Sequence, residues 1–104
     1  MHHIVLLTFR DDLGAADKQA VIDAVVALKA DIPQIQSVDT GINSNNTTEA
    51  GLARGHSHAF VMVFASEADR DAYLLHPKHV EVAQRVVVPA LADGGIVVFD
   101  MKVV

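Results

Sequence analysis

Residues 2–10 read HHIVLLTFR, a run of branched and aromatic side chains as long as a typical β-strand. In an extended strand alternate side chains point to opposite faces. One face carries His3, Val5, Leu7 and Phe9, the other His2, Ile4, Leu6 and Thr8. Both are apolar in the middle, the pattern of a strand covered on two sides. Residues 57–66, SHAFVMVFAS, repeat it, with His58, Phe60, Met62 and Phe64 opposed to Ala59, Val61, Val63 and Ala65. A fold that places these two segments side by side must hide apolar surface above and below them.

The intervening chain supplies cover for one side. Val21, Ala24, Val25, Leu28 and Ile32 follow the spacing of a helix stripe, widened by Ile22 and Val26, which predicts a helix over 15–31. Asp17 suits its first turn, where a carboxylate offsets the exposed amide dipoles, and Pro33 lies beyond its end. From Ile35 a shorter, more exposed strand is expected, placed at a sheet edge, followed by a long polar loop over 43–56. That loop is a candidate gate over a pocket. Ser66, followed by Glu67 and Asp69, is an N-cap signal for a helix over 67–75. Pro77 restarts it to about Val87, with Glu81 and Arg85 one turn apart, and Pro89 helps to end it. ADGG (92–95) reads as a turn and IVVFDMKVV as a last strand carrying Val97, Phe99, Met101 and Val103.

The order βαββαβ is the ferredoxin-like split arrangement, an α+β fold with an antiparallel four-stranded sheet in a single domain over 1–104. Its helices cover one face only. Leaving the Val, Leu and Phe of the other face wet forgoes about 1.5–3 kcal/mol for each side chain, so a second copy packed sheet to sheet is expected. A chain of 104 residues buries only about two-thirds of its unfolded surface, which adds to the case for a homodimer.

Composition narrows the function classes. A net charge of −5 with eight scattered basic residues argues against nucleic acid as a partner. No cysteine is present, so disulfides, thiolate nucleophiles and Cys-type zinc sites are excluded. No apolar run approaches the ~20 residues of a membrane span and no signal sequence is evident; a cytoplasmic protein with no membrane partner is the expectation.

The chemistry-bearing residues gather in DAYLLHPKHVEV (71–82). His3 and His58 start opposite ends of neighbouring antiparallel strands, roughly 20 Å apart. A helix climbing back along the third strand is expected to bring Tyr73, His76 and His79 towards His58. His79 falls in line with Ala83 and Val86, the inward side. An inward imidazole can act as a general base near neutrality, and a nearby tyrosine can donate to a developing oxyanion. The plainer alternative has His79 bonded to a carbonyl and Tyr73 filling the core. His76, just before a proline, suits an N-cap. His76-x-x-His79 has a spacing some metal sites use, but Pro77 spoils the shared helical face and His58 or Glu81 would have to complete the set. Neither metal nor cofactor is expected.

HHIVLLTF, HSHAFVMVFAS, DAYLLHPKHVEV and the closing VVFDM together resemble the stress-responsive A/B barrel (Dabb) proteins over nearly the whole chain. YLLHPKHV is the most specific element. The resemblance implies a dimeric α+β barrel. A plant polyketide cyclase looks like a relative of that family, and its roles, carried over by position, make His79 the base and Tyr73 its assistant. His58 and His3 would then line or support the pocket, with His76 a further ligand contact. Two readings compete: a barrel that binds a small apolar or aromatic ligand without turnover, and a cofactor-independent cyclase or lyase. A monooxygenase of the kind found on related dimeric barrels has no residue here that points to it.

Overall fold

The computed structural model describes residues 1–104. Strand β1 (His2–Phe9) leads into helix α1 (Ala15–Asp31), then strands β2 (Ser37–Ile42) and β3 (His58–Val63). Helices α2 (Glu67–Leu75) and α3 (Pro77–Val82) follow, and strand β4 (Leu91–Met101) ends the fold. The sheet order is β2-β3-β1-β4 and every neighbouring pair is antiparallel, the ferredoxin-like arrangement. β2 is an edge strand, as its exposed pattern implied.

The two doubly apolar segments are the two central strands. Their register sets His3 beside Met62, Val5 beside Phe60 and Leu7 beside His58 on the helix side. That side holds the core: Val5, Leu7 and Phe9 meet Val21, Ile22, Val25 and Leu28 of α1, with Phe60, Met62 and Phe64 filling between. Val26 lies beyond the edge of the α1 stripe and is exposed, contrary to its expected place inside. The opposite face carries Ile4, Leu6, Val61, Val97 and Phe99, and no element of this chain covers it. Phe99 is 63% exposed there.

Ser66 caps α2 as expected, its Oγ accepting from the Asp69 N–H at 3.1 Å. The restarted helix departs from expectation after Val82. It widens into a π turn over Ala83–Val87 and tightens into a 3₁₀ turn over Val88–Ala90 that contains Pro89. The ADGG segment is not a turn ahead of the last strand but part of it. β4 already pairs Leu91 with Phe9, then resumes pairing at Ile96 with Leu7. Four residues of β4 thus oppose Thr8 alone, an enlarged β-bulge. Glycine makes this feasible: Gly94 has φ +64, and a Cβ on Gly95 would sit 2.4 Å from the Thr8 carbonyl oxygen and 2.7 Å from that of Ala92.

Both close neighbours of Gly95 are backbone atoms, so neither can swing aside. Gly95→Ala should therefore cost about 2–4 kcal/mol of folding stability in urea denaturation. Gly41→Ala, with open space around it, should stay within about 0.5 kcal/mol of the parent chain.

Candidate functional site

The His-Pro-x-His stretch organises the site through one missing donor. Proline has no N–H and pushes the residue before it out of helical geometry. His76 accordingly sits at φ −63, ψ 132, ending α2 and starting α3. Its Nδ1 accepts from the Lys78 N–H at 3.0 Å, a side-chain cap in the ordinary sense. In an unbroken helix that N–H would have bonded the Leu74 carbonyl. The freed Leu74 oxygen instead accepts from His79 Nδ1 at 3.0 Å.

A carbonyl only accepts, so His79 Nδ1 carries the proton and Nε2 of the neutral ring is a bare lone pair. Burial lowers the pKa of His79 below the ordinary 6.5, opposed in part by the bond to Leu74 and assisted by the nearby His3 and His76 rings. The ring packs at 4.4 Å between centroids against Tyr73. Tyr73 is 2% exposed, and burial raises its pKa, so the phenol keeps its proton and serves as a donor.

The third member of the cluster is His3, whose ring lies edge-on to Tyr73 at 5.7 Å and close to Phe60 and Phe64. His3 is buried, and its Nδ1 donates to Asp100 Oδ1 at 2.7 Å. Asp100 Oδ2 in turn lies 3.3 Å from Arg70 Nη1. His3, Tyr73, His79 and Asp100 form the polar end of a cavity of about 310 Å³ between helices and sheet. Twelve of its fifteen lining residues are hydrophobic, among them Val5, Val25, Leu28, Phe60, Val82 and Val98, so it suits a small, mostly apolar ligand with one polar group.

Two expected members lie elsewhere. His58 is at the other end of the sheet, with its ring on Phe9 at 4.9 Å and its Nδ1 2.7 Å from Ser57 Oγ. It lines a separate cavity of about 230 Å³ with His56, Asn43 and Asn45. The expectation that Tyr73 and His79 approach His58 fails because α2 does not climb back along β3. At Tyr73 the chain is still packed on Phe64 and His3, beside the end of β3. His3 therefore takes the place expected for His58. His76 does not line the larger cavity, since its Nδ1 is committed to the cap. The 43–56 loop borders the smaller cavity and so is not a gate over the larger one.

Asp100 and Arg70 escaped sequence reading. A signal was present: Asp100 interrupts the apolar run IVVF and shares a face with Ile96 and Val98. An inward carboxylate in an apolar strand calls for a partner. Only the strand register identifies it as His3.

The family model for the stress responsive A/B barrel domain matches residues 1–103. Olivetolic acid cyclase of Cannabis sativa is 28% identical over 78 residues, which cover 75% of this chain and 74% of the cyclase. Among solved structures, a hydroxynitrile lyase from Passiflora edulis superposes with a TM-score of 0.84 at 26% identity, over 94% of this chain and 87% of the lyase. A dimeric ferredoxin-like protein of unknown function from Thermobifida fusca gives 0.77 at 25% identity, over 98% and 89% of the two chains.

The folded state favours neutral His79, so as pH falls through about 6.5 the unfolded chain takes up a proton that the folded one refuses. Stability should drop in that window and level off below the folded pKa. His58 is lowered the same way, by burial and by Lys18. Urea midpoints at pH 7.5 and about pH 5 should lie closer together in His79→Gln than in the parent, with His58 accounting for a remaining gap.

Proposed function

This chain belongs to the stress responsive A/B barrel domain family, and on that footing we propose that it is a homodimer whose protomers each bind a small, mostly apolar carbonyl compound and move a proton on it without a cofactor. The observation that carries this reading is the oriented His79 ring beside the protonated Tyr73 at the polar end of an apolar cavity. A relative that is a cyclase and a structural neighbour that is a hydroxynitrile lyase support a reaction over mere binding.

His79 Nε2 removes a proton from the carbon alpha to the carbonyl. The electron pair left behind delocalises onto the carbonyl oxygen, and the Tyr73 O–H donates a hydrogen bond to the enolate so formed. The enolate carbon then attacks a second carbonyl of the same molecule, whose π electrons move to its oxygen and take the proton held by His79 as the ring closes, or the carbon itself takes that proton back. Burial serves both residues: it keeps His79 neutral and able to accept, and Tyr73 protonated and able to donate.

The dimer reading rests on the uncovered sheet face. Ile4, Leu6, Val61, Val97, Phe99 and Met101 form one apolar surface, and burying each large side chain is worth about 1.5–3 kcal/mol. The dimeric ferredoxin-like neighbour supports a second copy as the occupant. The cavity lies on the opposite side of the sheet, so each protomer carries a complete site.

Deuterium incorporation into a panel of small aryl and alkyl methyl ketones in D₂O, followed by NMR, tests the chemistry. His79→Ala should slow exchange by about 10²–10⁴, and Tyr73→Phe should slow it less, while both variants still show ketone-induced shifts of cavity methyl groups. Exchange at the parental rate in His79→Ala would reduce the protein to a binding barrel. For the assembly, sedimentation should give a dimer at micromolar concentration and a monomer for Phe99→Glu.

A further inference from the structure

Arg70 is not one of the residues that line the cavity, yet its side chain is only 17% exposed. Its guanidinium holds two carboxylates. Nε donates to Asp71 Oδ1 at 2.8 Å, and Nη1 lies 3.3 Å from Asp100 Oδ2. The other oxygen of Asp100 is the one that accepts from His3 Nδ1 at 2.7 Å. Three elements are thereby linked in a line: α2 through Arg70, β4 through Asp100 and β1 through His3.

From this chain of contacts we infer that Arg70 is a positioning residue of the site, acting through Asp100 to fix the orientation of the His3 ring against Tyr73. Three features make the link functional as well as cohesive. Asp100 stands on an edge strand whose cavity-side neighbours Ile96 and Val98 are about half exposed, and its own side chain is 28% exposed, which leaves its polar contacts to set the direction of the carboxylate. A carboxylate on such a strand is free to rotate unless both oxygens are engaged, and here one faces a single guanidinium nitrogen, Arg70 Nη1, and the other accepts from an imidazole. The same contact ties α2, which carries Tyr73, to the strand forming the far wall of the cavity. Arg70 also sets a positive charge beside the Asp100 carboxylate, a charge it shares with Asp71.

The geometry has a directional consequence. His3 gives its Nδ1 proton to Asp100, which leaves Nε2 as the ring's remaining polar atom for the cavity. Freeing Asp100 loosens that aim without removing any group from the cavity lining. Loss of Arg70 should then impair turnover of a bound compound more than its binding.

The role in turnover rests on the proposed proton-transfer activity; the positioning of His3 does not, and the experiment separates the two. Imidazole ¹⁵N–¹H NMR of the full chain would read the His3 Nδ1–H directly. In the parent it should give a slowly exchanging, hydrogen-bonded signal. In Arg70→Met, which keeps most of the aliphatic stem, exchange of that proton should accelerate about tenfold or more, and Arg70→Lys should restore most of the protection by returning a cation to Asp100. With the ketone panel, Arg70→Met should lower kcat about tenfold with KM within about twofold, and Arg70→Lys should recover part of the loss. An unchanged His3 Nδ1–H signal in Arg70→Met overturns the inference whatever the activity does. Should Arg70→Met not fold, Arg70→Gln provides the same reading of the signal. Altered His3 exchange in a protein whose His79→Ala variant still exchanges ketones at the parental rate would uphold the positioning and sink only the proton-transfer reading.

Discussion

A single absent N–H, that of Pro77, underlies the local geometry of the site. Without it α2 stops at Leu75, His76 adopts an extended conformation, and the imidazole of His76 takes up the Lys78 N–H that a continuous helix would have given to Leu74. The Leu74 carbonyl is left to fix the tautomer of His79. The order of residues in LHPKH is thus a sequence of consequences, in which one histidine satisfies the break and the other uses what the break exposes. Neither imidazole is redundant, and only the second lines the cavity.

The cavity owes its existence to incomplete helical cover. α1 lies over the middle of the sheet, where Val21, Ile22, Val25 and Leu28 close the core, while α2 and α3 are short and separated by the break. β4 receives little of that cover, and Ile96 and Val98 remain about half exposed on the helix side. The π turn after α3 brings Ala83 and Val87 to the cavity wall, a use of the wider turn common near functional sites. A fully packed alternative would need larger side chains at Val25, Ala83 or Val98. Their small volume is what leaves room for a ligand.

Charge is confined to one end of that space. The carboxylate of Asp100 is paired with Arg70 and hydrogen-bonded by His3, whose ring in turn packs among Phe60, Phe64 and Tyr73, so the ionised group at this end is not left without partners. No buried side-chain polar atom in the protein lacks a hydrogen-bond partner. The result is an apolar chamber with polar groups converging at a single end, which orients a ligand by its one polar function. Desolvation at the same end acts on His79 and Tyr73 in opposite directions, favouring the uncharged form of each.

Periodicity and punctuation in the chain were enough to specify the element order and the two central strands, because alternation of side chains across a strand and the stripe of a helix are local properties. The bounds of α1 and α2, the Ser66 cap and the break at Pro77 could all be read from neighbouring residues for the same reason. So could Tyr73 and His79 as partners, being less than two helical turns apart. The bulge at Gly94 and Gly95 was missed because two glycines after an aspartate signal a turn equally well; pairing with Thr8 of a distant strand resolves it. Exchange of His58 for His3 as the third ring depended on the path of α2 across the sheet, which follows from packing on Phe64 and not from any local pattern. Asp100 and Arg70 needed the fold most of all. They join residues 97 and 30 positions apart in the chain: the register of β1 with β4 sets Asp100 beside His3, and the placement of α2 against the sheet brings Arg70 to it.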